Sequence, residues 1–180
     1  SILTDLYING EYIGNYTLCE RIEISESRID INDLGEWNER LNQGIDFETL
    51  ELDGVRGDES YLELGSSMWV NIPNTPEPSK GAYLIEYELA SRYDDEVSGF
   101  ISNYGQPIIV KSPEYASQEQ VKYIQSYYQA FEDAVLSDNG YNAMGKHYSD
   151  YIDVESYAKL YVFQEFVKNL DAAGTSLFFY

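Results

Sequence analysis

Hydrophobic and polar residues alternate from the first positions of the chain. In Asp5-Leu-Tyr-Ile-Asn-Gly-Glu-Tyr-Ile-Gly-Asn-Tyr-Thr-Leu-Cys-Glu20, Leu6 and Ile8 share one face of a strand. Tyr12, Gly14, Tyr16 and Leu18 share one face of the next. Asn9-Gly10 between them is the dipeptide that most readily takes the two left-handed conformations of a type I′ turn, so the segment predicts a β-hairpin. Gly14 interrupts an otherwise bulky strand and predicts a bulge or a close backbone approach. Alternation continues through Arg21-Ile-Glu-Ile24, and a further short strand is expected around Ile29 and Ile31. Leu34, Trp37 and Leu41 then fall on one side of a short helix over residues 33–42.

Residues 43–78 mix signals, with Gly44, Gly54, Gly57 and Gly65 followed by Asn74-Thr-Pro-Glu-Pro78, and read as a variable loop region. Its acids Asp53, Asp58 and Glu59 read as solvated loop charge. Residues 81–89 predict a buried strand that Gly81 frees at its start. Phe100-Ile-Ser and Pro107-Ile-Ile-Val-Lys111 predict two more, joined by a turn at Asn103-Tyr-Gly105. The period then changes. Ser117 and Gln120 form a capping box, and Val121, Ile124, Tyr128, Phe131 and Val135 recur at helical spacing up to Leu136. Asp153 caps a second helix with Tyr157, Leu160, Tyr161, Phe163, Phe166 and Val167 as a broad apolar stripe. Residues 175–180 predict a final strand. Strands first, helices second and a closing strand favour an α+β class over an alternating α/β one. Strand pattern already runs at Ile2 and again at Tyr180, with no polar tail on either side. The expectation is that residues 1–180 are one partial domain cut at both ends from a longer folded unit.

Composition narrows the function. The 180 residues suffice for one core of ordinary size. No run of about 18 apolar residues is present, which excludes a helical membrane span. Thirty-two acidic against eleven basic residues give a formal charge of −21. A field of that sign repels nucleic acid and anionic lipid, whose recognition needs basic clusters. It is compatible with a solvated acidic surface, and equally with cationic partners or divalent metals. Cys19 is the only cysteine, so no internal disulfide or thiolate metal cluster can form. Beside Leu18 on a strand, it reads as a buried, inert thiol. A nucleophilic pairing with His147, the only histidine, has no motif behind it.

Three carboxylate-bearing stretches remain as candidate chemistry: Glu20 at the end of the hairpin, Glu86 and Glu88 on one strand face, and Glu165-Phe-Val-Lys168-Asn169-Leu-Asp171. In the last, a helix runs into an Asn-x-Asp pair before a loop and a strand. Kinase-like enzymes place an Asp and a metal-binding Asn or Asp at such a position. Asn and Asp two apart offer the hard oxygen ligands that Mg²⁺ prefers. Asn169 is equally suited to capping the helix end. Glu86 with Glu88, or Glu132 with Asp133, could also be set to glycoside hydrolysis, though no spacing selects them.

The order of these landmarks resembles the spore-coat protein H (CotH) kinase family, an atypical protein-kinase-like group. The resembling pieces are residues 5–20 as quoted above, Arg28-Ile-Asp-Ile31, Gly81-Ala-Tyr-Leu-Ile-Glu-Tyr87, Ile109-Val-Lys-Ser-Pro-Glu114, Glu165-Phe-Val-Lys-Asn-Leu-Asp171 and Ser176-Leu-Phe-Phe-Tyr180. The likeness thins between Glu36 and Pro78. It implies a kinase-like pair of lobes, with the hairpin near their junction, and phosphoryl transfer from ATP with Mg²⁺ to a protein hydroxyl. By position Asp171 matches the family's active-site aspartate, and Asn169 is its neighbour and fellow metal ligand. Glu20 matches a recurrent acid near the nucleotide. Lys111 matches a lysine for which nucleotide contact and a plain salt-bridged strand position are both open. In the family the domain extends further, with a basic, Gly-containing segment upstream and an Asp-x-Asp metal site downstream. Residues 1–180 alone are therefore expected to be incomplete for catalysis. The same resemblance implies a secreted, cell-surface or spore-coat setting and a coat or surface protein as substrate. A binding module that kept the fold and lost the chemistry is the alternative, and the 18 tyrosines suit it as contact surface.

Overall fold

The computed structural model describes residues 2–56, 62–169, 172 and 174–180. It divides into two units, Ser1–Ile31 and Asn32–Tyr180. The first unit is a hairpin of β1 (Ile2–Ile8) and β2 (Glu11–Leu18). Asn9 and Gly10 both take positive φ, at 52° and 86°, as the type I′ turn requires. The register runs Leu6↔Gly14 and then Tyr7↔Tyr12, so one extra residue is inserted beside Gly14, whose φ is 144°. This is the expected bulge. Two strands give no second layer, and Ile2, Leu3, Ile8 and Leu18 are exposed. Cys19 is exposed as well, which corrects its reading as a buried thiol. The strands expected over residues 21–31 reduce to a single bridge between Ile24 and Ile29.

The second unit is built on an antiparallel sheet of six strands in the order β3-β4-β6-β7-β5-β8. These are β3 (Leu52–Gly54), β4 (Ser67–Val70), β5 (Leu84–Tyr87), β6 (Gly99–Ile101), β7 (Pro107–Ser112) and β8 (Leu177–Phe179). The central β7 is apolar at successive positions because both its faces are covered. Ile108 and Val110 join Leu34, Tyr83, Ile85, Phe100, Val121, Ile124 and Tyr128 in the larger core. Ile109 points the other way, into a smaller core with Met68, Tyr93 and Ile101. Full burial of each such aliphatic side chain stabilises the fold by about 1.5–3 kcal/mol.

Helices α1 (Leu34–Leu41), α2 (Ala90–Tyr93), α3 (Gln118–Leu136) and α4 (Val154–Val167) complete the unit. Asp33 caps α1 by accepting from the amides of Gly35 and Glu36. A Cβ at Gly81 would lie 2.2 Å from Leu34 Cγ, so glycine there is what lets the chain entering β5 pass the buried Leu34. The capping box of α3 forms as expected: Ser117 Oγ accepts from the Gln120 amide at 3.3 Å, and Gln120 Oε1 from the Ser117 amide at 3.0 Å. The Gln120 side chain is fully buried and pairs reciprocally with Asn38 of α1, at 3.2 and 3.1 Å. This satisfied amide pair fixes how α1 lies against the start of α3.

The architecture is α+β, with helices interspersed among the strands. It is not divided into a strand half and a helix half, because α1 and α2 sit within the strand series. The variable region at residues 43–78 holds two strands, β3 and the buried β4, that correct its reading as loop alone. The division at Ile31 does not by itself draw the two lobes of a kinase. Among the described residues no helix is long and apolar enough to cross a membrane.

Candidate active site

Two places in the second unit gather the residues that the sequence singled out. The first surrounds Lys111 on β7. Its ammonium lies 3.2 and 3.4 Å from the Glu96 carboxylate oxygens and 3.7 Å from Glu86 Oε2. Glu86, on the neighbouring β5, is only 5% exposed. A carboxylate at that depth needs a charge or hydrogen-bond partner, and Lys111 supplies the charge. The β5–β7 pairing, with Glu86 opposite Ile109 and Ile85 opposite Val110, carries Glu86 alongside Lys111. Glu96, from the turn after α2, closes the group and went unnoticed in the sequence.

The second place is the C-terminal end of α4. Lys168 adopts the left-handed conformation, with φ 52° and ψ 45°. Its amide donates to Glu165 O at 3.2 Å, and the Asn169 amide donates to Gln164 O at 3.1 Å. These two bonds form a Schellman motif, which ends the helix sharply. The Asn169 side-chain amide adds a 2.9 Å bond to Gln164 Oε1. Asn169 thus helps to stop the helix, as its position allowed. Asp171 lies outside the described residues.

Strand β8 runs antiparallel to β5, with Tyr87 opposite Leu177 and Glu86 opposite Phe178. The same alignment sets Thr175 beside Glu88, whose Oε1 accepts from Thr175 Oγ1 at 3.1 Å and from the Leu89 amide at 2.8 Å. Glu88 is 6% exposed. The signal that could have found these partners is the pattern Leu-Ile-Glu-Tyr-Glu-Leu. Two acids on an otherwise apolar interior strand need partners, and those partners mark what the strand holds in place.

Glu20 sits in the hairpin unit with its side chain 87% exposed, 3.8 Å from Arg28 Nη1. An ion pair in that much water contributes little. A cavity of about 320 Å³ lies between α3, the first half of α4 and the β5–β8 edge. It is lined by aromatic rings including Tyr83, Tyr128, Phe131, Tyr157 and Phe179, and by none of Glu20, Lys111 and Asn169. Burial pushes the Tyr128 phenol well above its ordinary range, and its hydroxyl pairs with that of Tyr87 at 2.7 Å. Among the described residues no three His, Cys, Asp or Glu side chains gather as a metal site.

The interior of the antiparallel sheet thus sets the buried Glu86 beside Lys111 and the buried Glu88 beside Thr175. The chain belongs to the CotH kinase family: the model for CotH kinase protein matches residues 3–180. Neither a curated protein nor a solved structure matches it.

Proposed function

We propose that this chain is the central portion of a kinase-like domain that transfers phosphate from ATP, with Mg²⁺, to a Ser or Thr hydroxyl of a protein. Family membership across residues 3–180 is the observation that carries the reading. Asp171 is the catalytic residue, receiving the proton of the acceptor hydroxyl or orienting it, as the loop aspartate of kinase-like enzymes does. Asn169 and Asp171 offer an amide and a carboxylate oxygen, a donor set that suits Mg²⁺. A magnesium ion held there would neutralise charge on the phosphoryl group being transferred.

Lys111 is assigned to the nucleotide. The carboxylates of Glu86 and Glu96 keep the Lys111 ammonium on one side of β7. Such a carboxylate-held lysine resembles the lysine–glutamate pair that kinases keep beside the phosphates. The protein substrate is a coat or cell-surface protein, and the setting is extracellular or the spore coat. On this proposal residues 1–180 are one part of the catalytic domain, and turnover belongs to the polypeptide extended at both ends. Calorimetric titration of that extended protein with ATP tests the reading. Binding is expected with Mg²⁺ and should weaken at least about tenfold without it or in Asp171→Asn, the loss of one charged metal ligand. Equal binding with and without Mg²⁺ would contradict it.

A second reading is a surface-binding module that has lost catalysis. The aromatic residues exposed along α4, with Phe166 85% exposed, favour it. An extended protein that binds a surface partner but no nucleotide would support this reading.

A further inference from the structure

We infer that the aromatic cavity between α3, α4 and the β5–β8 edge binds a small free organic cation bearing a quaternary or alkylated ammonium group, an inference independent of the phosphotransferase reading. The cavity holds about 320 Å³, the size of a small-ligand pocket. Neither Lys111 nor Asn169 lines it.

Its walls are rings set at steep angles to one another. Tyr127 of α3 meets Tyr151 at 74° with centroids 5.2 Å apart, and Tyr128 meets Phe131 at 66° and 5.9 Å. Tyr157 of α4 and Phe179 of β8 add rings from the other two sides. Rings that meet edge to face turn their negative faces in several directions. A compact cation placed among them therefore meets more than one face, where a flat stack would offer one.

Charge selects a cation over a neutral apolar guest. Among the described residues Asp153 is the one charged side chain that lines the cavity. It caps α4 through Oδ1, which accepts the Glu155 and Ser156 amides at 3.0 and 3.1 Å and leaves Oδ2 for an ammonium group. On the α3 wall, burial, the Tyr87 hydroxyl and the Glu132 carboxylate all raise the Tyr128 phenol, so a second negative charge lies near that ring. Glu132 is fixed there by accepting from Ser102 Oγ at 3.0 Å. The formal charge of −21 draws cations to the surface and repels anions. A quaternary ammonium suits such a place because it is charged yet has no N–H to be left unpaired against carbon.

Calorimetric titration of the protein extended at both ends tests the site, with choline and with the neutral isostere in which carbon replaces the ammonium nitrogen. Choline is expected to bind at least about tenfold more tightly than the isostere. Tyr157 is half-exposed, so its variants should fold. Tyr157→Leu should weaken choline at least about fivefold, and Tyr157→Phe should keep it, because the ring is what the cation meets. Asp153→Asn still caps the helix and should weaken choline about threefold, a small effect because the carboxylate is exposed. Saturating ATP with Mg²⁺ should leave choline binding unchanged. Equal affinity for choline and the isostere would overturn the cation assignment, and binding of neither would overturn the site. Displacement of choline by ATP would contradict its independence from the nucleotide. Binding to phosphatidylcholine vesicles without affinity for free choline would contradict a free small molecule as the ligand. Absence of ATP binding with choline binding intact would count against the phosphotransferase reading and leave this site standing.

Discussion

Helices α3 and α4 both start on a side-chain cap and both carry apolar residues at helical spacing, yet only α3 buries a face. In α3, Val121, Ile124, Tyr128 and Ala134 turn inward, and Lys122, Gln125, Ser126 and Gln129 occupy other sides. In α4, Val154, Tyr157, Tyr161, Val162, Phe163, Phe166 and Val167 are all exposed, and they spread around the helix beyond a single stripe. The difference teaches what periodicity can and cannot say. Apolar spacing predicts that a helix forms; only a contrasting polar face predicts which side the core takes. Where α3 is stabilised by packing, α4 depends on its ends: Asp153 accepts two amides at one terminus and the Schellman motif closes the other.

The largest test of this contrast is Phe100→Ala, which removes a fully buried ring that packs against Tyr128 of α3. A loss of about 4 kcal/mol in urea-unfolding stability is expected. A loss of less than about 1 kcal/mol would mean that the α3–sheet core is not the main support.

Alkaline pH loads the same interface. Burial raises the phenols of Tyr83, Tyr87, Tyr93 and Tyr128 above their ordinary value of 10.0. A folded value above the unfolded one means the folded state holds the proton longer. The associated stability is full below pH 10 and is lost as pH rises through the folded values. Stability measured from pH 8 to 12 should therefore fall above about pH 10. Phenolate absorbance should split into tyrosines that titrate freely and tyrosines that titrate only on unfolding. A single titration of all tyrosines without unfolding would contradict the burial.

Lys111→Met strands the Glu86 carboxylate and should cost about 2 kcal/mol, less than a fully buried pair would because the lysine is partly exposed. Lys111→Met with Glu86→Leu should recover most of that loss, since no buried charge remains. At the cap of α3, Ser117→Ala should cost about 1 kcal/mol by thermal or urea unfolding. Smallest of all, Phe166→Ser on α4 should leave the unfolding free energy of this chain within about 0.5 kcal/mol of wild type. A loss above about 2 kcal/mol would show that the outer side of α4 is packed and would remove the contrast with α3.

Local chemistry was the legible part of this fold. Asn9-Gly10 announced the hairpin, Gly14 its bulge, Ser117 with Gln120 a capping box, and Asp153 the start of α4, because each rests on contacts within a few residues. Long-range placement was not legible. Met68-Trp-Val70 was overlooked between Gly65 and Asn74, although its apolar run is what a strand covered on both sides should show. Cys19 follows an alternating strand, but alternation cannot say whether a second layer exists to cover it. The candidate site divides in the same way. Asn169 at a helix end could be read from spacing, while the grouping of Lys111 with Glu86 and Glu96, and of Glu88 with Thr175, depends on strand order and register.

The most direct test of the central claim is phosphoryl transfer by the protein extended at both ends, assayed with labelled ATP and Mg²⁺ on itself. Wild type is expected to incorporate phosphate on Ser or Thr, and Asp171→Ala should fall at least about 100-fold while its melting temperature is kept. Phosphate incorporation by Asp171→Ala at the wild-type rate would contradict the account.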